Sequence, residues 1–274
     1  MHAATNTNLI AFARDGSKTE MIHLIPRYAK AGFTMLDINL CELLNPNATL
    51  LSDRWREYVE TLSSQRDAYH LTYHQAHAPY SKNDTTTHPL LSRAMEICTL
   101  LHIPILVVHP LPLSVSENIL AYAPVIRQAE KVGLTLAFEN LNKEGEITAI
   151  DDLAALVDGL DSPSAAICWD TGHAHMCGHD LVADIQKMGH RLKATHIVDN
   201  HGTEDEHLLP FFGTIEWERV IPALQESGYT GALTLECMFF TQHLRPALRD
   251  QVIGLAKACA DELLAMLDGS DNAR

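Results

Sequence analysis

Residues 134–170 read LTLAFENLNKEGEITAIDDLAALVDGLDSPSAAICWD and hold one strand–helix–strand unit. In the first run, Leu134, Leu136 and Phe138 alternate with Thr135, Ala137 and Glu139, the period-two signature of a strand with two unlike faces. Asp151–Leu160 follows with the spacing of a helix, and Ala165–Asp170 returns as a second apolar, β-rich run. Both strands end on a carboxylate.

The same alternation extends outward in both directions. Strand-like runs occur at Leu9–Ala13, Thr34–Leu40, Leu71–His77, Ile105–His109, Leu134–Glu139, Ala165–Asp170, Ala194–Asp199 and Ala232–Cys237. Helix-length segments lie between them at Lys18–Ala31, Arg54–Tyr69, Pro89–Leu101, Glu117–Val132, Asp151–Leu160, Asp180–Gly189 and Glu216–Ser227, and a last one at Arg245–Leu267 closes the chain. Gly32, Gly133 and Gly228 fall just before strands, where helix C-caps belong. Eight strand–helix units imply a single-domain α/β (β/α)8 TIM barrel. A doubly wound open sheet is disfavoured, because no glycine-rich GxGxxG or P-loop turn follows an early strand. Residues 1–8 are expected to be a short polar extension and residues 268–274 a flexible tail.

The chain has 274 residues, 46% of them hydrophobic, enough for a full core. Twenty Lys and Arg stand against 35 Asp and Glu, a net charge of −15 with His neutral. That balance argues against a nucleic-acid partner, and no apolar run is long enough for a membrane span. Six cysteines are scattered without a CxxC pair, as in reduced, cytoplasmic proteins.

Strand parity points Glu139 and Glu236 toward the barrel axis at the C-terminal ends of their strands, the end where barrel active sites form. Polar residues end six successive strands: His77, His109, Glu139, Asp170, His196 and Glu236. They recur about every 32 residues, close to one strand–helix unit. His173, Asp205 and His207 lie just beyond strand ends. A lone histidine at a strand end is ordinarily a satisfied polar residue. Nine His, Asp and Glu on one rim are different, because uncompensated carboxylates sharing a site repel and are costly to bury. A divalent cation relieves that cost, and mixed nitrogen and oxygen donors favour Zn²⁺ or Mn²⁺, with Co²⁺ and Fe²⁺ as alternatives, over Ca²⁺. No organic cofactor is expected.

The segments Phe138-Glu139-Asn140, Trp169-Asp170-Thr171-Gly172-His173-Ala174, Thr195-His196-Ile197-Val198-Asp199-Asn200, His207 to Gly213, and Leu235-Glu236 resemble the xylose isomerase-like barrel superfamily, which holds sugar phosphate isomerases and epimerases together with endonuclease IV. The isomerase branch implies one divalent metal on Glu139, Asp170, His196 and Glu236. The resemblance further implies that Glu139 and Glu236 double as acid and base, passing a proton through a metal-stabilised enediolate, and that His173 holds a substrate oxygen. The substrate implied is a sugar, sugar phosphate or keto-polyol. The endonuclease IV branch implies three zinc ions on all nine residues, adding His77, His109, His173, Asp205 and His207, with phosphodiester hydrolysis as the reaction. A metal-containing binding barrel without turnover is a third reading.

Departures rank these branches. Leu141-Asn142-Lys143-Glu144-Gly145-Glu146 and Pro110-Leu111-Pro112 differ from the corresponding endonuclease IV segments, and the rim carries few basic residues to grip a nucleic-acid backbone. A small sugar-like substrate is therefore expected, and a homo-oligomer is compatible with the family. Phe211 stands where the family loop often has glycine; it is a candidate substrate contact or a packing partner of Trp217, Arg14 is open to an anion contact on substrate or, in preference, a salt bridge, and Asn39 and His173 are candidate substrate contacts. Asp37 shares the inward parity of Asn39 and is open to a substrate or a structural role. His74 has outward parity, His175, His179 and His201 read as exposed loop residues, and Cys168, Trp55 and Trp169 read as packing residues.

Overall fold

A computed structural model of the chain describes residues 1–80 and 85–268. Eight parallel strands run β1 (His2–Asn6), β2 (Met35–Asn39), β3 (Thr72–His77), β4 (Ile105–Val108), β5 (Thr135–Glu139), β6 (Ala165–Asp170), β7 (Leu192–His196) and β8 (Ala232–Leu235). Neighbours pair in sequence order from β1 to β7, and β1 also pairs with β8. The remaining seam is closed by the Ile197 amide donating to the Thr234 carbonyl at 2.8 Å and the Glu236 amide donating to the Ile197 carbonyl at 3.3 Å. The expected (β/α)8 barrel is therefore what the chain builds.

Helices alternate with the strands: α1 (Met21–Lys30), α2 (Trp55–Ala68), α3 (Leu91–Leu101), α4 (Val115–Val132), α5 (Ile150–Leu160), α6 (Thr171–Met176), α7 (Leu181–Met188), α8 (Trp217–Glu226) and α9 (Pro246–Ala265). Gly32, Gly133 and Gly228 adopt positive φ at helix ends, as their placement required. Leu136, Phe138, Leu233 and Leu235 join the large core between sheet and helix ring. Val107, Ala137, Ala166, Cys168 and Ala194 form a separate small cluster, the inner filling of the barrel. Small residues inside and large ones outside are what the alternation required.

Three expectations need correction. The first strand is His2–Asn6 rather than Leu9–Ala13, so residues 1–8 are not a polar extension. Its HAATN sequence carries little β signal, but backbone bonds to β2 and β8 on both sides hold it in the barrel wall. Leu9, Ile10 and Ala11 are fully buried in the segment that follows. Second, β7 starts and ends earlier than Ala194–Asp199, although His196 still ends it. Third, His74 does not lie outside the barrel. The β2–β3 register jumps from Leu36↔Tyr73 to Asp37↔Gln75, leaving His74 as the extra residue of a bulge. Its ring reaches the Leu36 carbonyl at 3.0 Å and Thr234 Oγ1, on an inward position of β8, at 2.8 Å. The tail expected at 268–274 falls, from residue 269 on, outside the described residues.

Candidate active site

The C-terminal strand ends deliver their side chains to one place because each strand finishes in register with its neighbours. Glu139 ends β5, Asp170 β6 and His196 β7, while Glu236 follows β8 by one residue. One donor atom from each of these four lies within 4.8 Å of every other, and all four are buried. His196 Nδ1 stands 3.0 Å from Glu139 Oε1 and 3.4 Å from Glu236 Oε2, so one imidazole nitrogen bridges the two glutamates.

The other five histidine and aspartate residues join the same cavity. His77, ending β3, and His109, following β4, place their Nε2 atoms 3.3 and 3.2 Å from Glu139 Oε2. The two Nε2 atoms are themselves 3.2 Å apart. On the far side, Asp205 lies between His173 Nε2 at 3.5 Å and His207 Nε2 at 3.4 Å. Backbone carbonyls orient three of these rings. His77 Nδ1 is 2.9 Å from the Ala78 carbonyl, His173 Nδ1 2.9 Å from that of Asn140, and His207 Nδ1 2.9 Å from that of Glu236. With Nδ1–H given to a carbonyl, each ring turns Nε2 toward the carboxylates of the centre, the nitrogen that would serve as a metal ligand once its proton is lost.

Local structure supports this geometry. The Asp170 carboxylate caps α6, accepting from the His173 amide at 2.7 Å. The Asn140 side chain exchanges two hydrogen bonds with the Asp170 backbone, at 2.9 and 2.8 Å, and so ties the ends of β5 and β6 together. Tyr122 donates to the His109 carbonyl at 2.6 Å from α4.

The residues present fit a divalent cation. Asp170 Oδ2 is buried and has no hydrogen-bond partner. Burial pushes the Asp170 carboxyl up to about 6, with His173 opposing and the Glu139 charge adding to the rise. Burial also raises Glu139, but the His196 charge and hydrogen bonds from His109, His196 and His77 outweigh it and hold this carboxyl well below the usual range. Three buried carboxylates and a histidine crowded in this way form a donor set that a cation satisfies.

A cavity of about 200 Å³ opens above the glutamates. His77, His109, Glu139, His173, Asp205, His207, Glu236 and Asn39 line it, while Asp170 and His196 are fully buried. Arg14 and Phe211, both expected near the substrate, are not among its walls. Arg14 is exposed in a loop, and Phe211 is 39% exposed with φ +74°, its amide donating to Asp199 Oδ2. Phe211 thus holds loop geometry without meeting the cavity. His175, His179 and His201 bond to Asn200, Asp184 and Glu206 outside it. Asp37 is not a wall residue either; it lies beneath His196, whose Nε2 is 3.5 Å from Asp37 Oδ2.

Several walls were not evident in sequence. Tyr80 stacks on His109 with centroids 4.2 Å apart, and Phe12 packs 5.2 Å from Phe239 to form an aromatic side. Asn8 and Asn142 add carboxamides, and Cys41 sits 3.4 Å from His77 Nδ1. Asn8 and Phe12 become readable as rim residues once the first strand is placed at His2–Asn6; nothing local marks the others. A wider hollow of about 800 Å³ at the opposite end of the barrel has no such donor cluster, and its Arg191 is already paired to Asp158.

A sequence model of the xylose isomerase-like TIM barrel family matches residues 25–252. The chain is 30% identical over 130 residues to an uncharacterized protein of Sinorhizobium fredii, covering 45% of this chain and 42% of that protein. It is 30% identical over 112 residues to D-psicose 3-epimerase of Enterocloster bolteae, covering 40% of this chain and 36% of the epimerase. The matched stretches thus span less than half the length of these curated relatives. Among solved structures, a D-tagatose 3-epimerase-like protein superposes with a TM-score of 0.76 at 22% identity, over 98% of this chain and 99% of the other. D-psicose 3-epimerase with D-tagatose from Clostridium cellulolyticum H10 gives 0.77 at 16% identity, over 96% and 99%. At those identities the structural likeness shows the fold.

Proposed function

The chain belongs to the xylose isomerase-like TIM barrel family, and from that premise we propose that it is a divalent-metal-dependent epimerase or isomerase of a sugar or closely related keto-polyol. The observation that carries this reading is the pair Glu139 and Glu236, held 3.0 and 3.4 Å from one nitrogen of His196 at the floor of a single cavity. Two carboxylates facing one small space are the minimum equipment for taking a proton from carbon and returning it elsewhere. The sugar epimerases among the relatives and structural neighbours support the same reading.

Glu139, Asp170, His196 and Glu236 would hold the cation. When bound there, it supplies Lewis-acid stabilisation of negative charge developing on substrate oxygens. One of Glu139 and Glu236 takes the proton from the carbon next to the carbonyl, and the pair of electrons from that C–H bond moves toward the carbonyl oxygen. The other glutamate, protonated, returns a proton to the opposite face of the same carbon, or one returns it to the neighbouring carbon. His173, with Nδ1 fixed on Asn140, presents Nε2 to a substrate oxygen. Asn8, Asn39 and Asn142 offer donors and acceptors to hydroxyls, while Phe12, Tyr80 and Phe239 cover the apolar faces of a sugar. Lys143 is the one Lys or Arg among the described wall residues, which favours an unphosphorylated substrate.

The test is solvent-proton exchange. Metal-loaded protein in deuterated water should introduce deuterium next to the carbonyl of at least one member of a ketose panel. Glu139→Gln or Glu236→Gln should each reduce exchange by roughly 10²–10⁴-fold, the contribution usual for general acid–base groups. Wild-type protein with no exchange across a broad panel counts against the reading.

A second reading, a tri-zinc phosphodiesterase, is favoured by one specific observation. His77, His109 and Glu139 make a second donor group within 4.8 Å, and His173, Asp205 and His207 converge beside it. Elemental analysis separates the two. About one ion per chain supports the epimerase; close to three zinc ions, with cleavage of abasic duplex DNA, supports the hydrolase.

A further inference from the structure

His196 differs from the other oriented histidines of the site. His77, His173 and His207 each turn Nδ1 to a backbone carbonyl and Nε2 to the centre. His196 turns Nδ1 to Glu139 and Glu236, so its Nε2–H points down into the barrel. There it meets Asp37 Oδ2 at 3.5 Å. Asp37 and His196 are both fully buried, and neither His196 Nε2 nor Asp37 Oδ1 has a hydrogen-bond partner. A carboxylate in the inner filling of a barrel is costly unless a positive or hydrogen-bonding group answers it.

The placement of Asp37 is built by the fold. Gln75 Nε2 donates to Asp37 Oδ2 at 2.9 Å, and Thr234 Oγ1 lies 3.5 Å from Gln75 Oε1 and 2.8 Å from His74 Nε2. The bulge in β3 makes this possible, because it puts His74 inside the barrel while leaving Gln75 opposite Asp37. The alternative neighbour of His196 is the Cys168 thiol, part of the small inner filling of the barrel.

We propose that Asp37 is a positioning residue for the metal centre: it accepts the Nε2 proton of His196, fixes the tautomer that leaves Nδ1 as the ligand, and strengthens that nitrogen as a donor. Carboxylate partners of ligating histidines act in this way, and their loss typically weakens metal binding 10–100-fold. The inference rests on the reading of Glu139, Asp170, His196 and Glu236 as a metal centre.

The experiment is a Co²⁺ titration of full-length, metal-stripped protein, read by visible absorption, beside the melting temperature of each metal-free variant. Asp37→Asn should weaken Co²⁺ binding by about 10–100-fold and change the absorption bands, because it keeps the volume and removes the charge. Gln75→Leu, which releases Asp37 without touching His196, should weaken binding several-fold; it decides the matter alone if Asp37→Asn does not fold. Cys168→Ala should stay within about twofold of wild type. A purely structural Asp37 gives the converse, a lower melting temperature with Co²⁺ affinity of the folded variants unchanged, and that result overturns the inference. So does a loss in Cys168→Ala as large as that in Asp37→Asn. Wild-type protein that binds no Co²⁺ overturns the metal reading itself, and this inference with it.

Discussion

Glu42 shows how a single buried group sets a pH dependence away from the site. It is 6% exposed, in the 3-10 turn after β2. Burial lifts its carboxyl to about 7, Lys18 opposing and Glu20 adding to the rise. The unfolded chain loses this proton near the ordinary carboxylate value, whereas the folded chain keeps it to about 7. Stability is therefore greatest below the unfolded value and falls as pH rises toward 7. Glu42→Gln should leave stability at pH 4.5 unchanged and raise it at pH 8 by about 1–3 kcal/mol, as measured by urea unfolding. An equal effect at both pH values would assign the change to packing instead. At this scale, the strand-end residues His77, His109, Glu139, Asp170, His196 and Glu236 were legible because parity and spacing locate an inward C-terminal position. Asp37 was legible only as inward; whether it meets substrate or His196 depends on depth along the barrel axis, which no local pattern encodes.

The segment between β7 and α8 carries Asp205 and His207, and it is organised around Asp199. That buried carboxylate accepts from the amides of Asn200, Phe211 and Ile215 and from Trp217 Nε1. Gly213 passes so close that a Cβ would stand 2.3 Å from Asp199 Oδ1 and 2.4 Å from the Asn200 carbonyl oxygen. Backbone cannot yield to that contact, so Gly213→Ala should destabilise by about 2–4 kcal/mol in urea unfolding. Asp199→Ala, leaving four donors unanswered, should cost a similar amount. A change below about 0.5 kcal/mol in either would show that the loop is not held this way. The element scale is also where hydrophobicity misled. The apolar run Leu9–Ala13 reads as a strand, but its burial comes from a loop turning inward, and the strand is the unremarkable His2–Asn6. Strand identity there is conferred by two neighbours offering backbone partners, a non-local term.

Across the whole molecule, the chain carries a net charge of −15 with His neutral, and three carboxylates are buried together at one centre. A ligand that binds only the folded state stabilises by about 2.7 kcal/mol at 100 times its Kd. For a chain of this size that corresponds to a rise in Tm of about 5–10 °C. Zn²⁺ or Mn²⁺ should therefore raise the Tm of stripped protein by that order, chelator should reverse it, and Asp170→Asn should abolish most of the rise. A Tm indifferent to every divalent ion would remove the metal centre from this barrel.

The sequence by itself determined the class of fold, the end of the barrel where His, Asp and Glu side chains collect and the nine residues that gather there. Those properties follow from period-two alternation and from one polar residue per strand–helix unit, both of which are local and repeated. Tertiary structure alone decided that His2–Asn6 is a strand, that a bulge turns His74 inward, that Phe211 and Arg14 stand clear of the cavity, and that Asp37 lies against His196. Each of these depends on register between strands distant in sequence, and a shift of one residue in register exchanges the inside of a barrel for its outside.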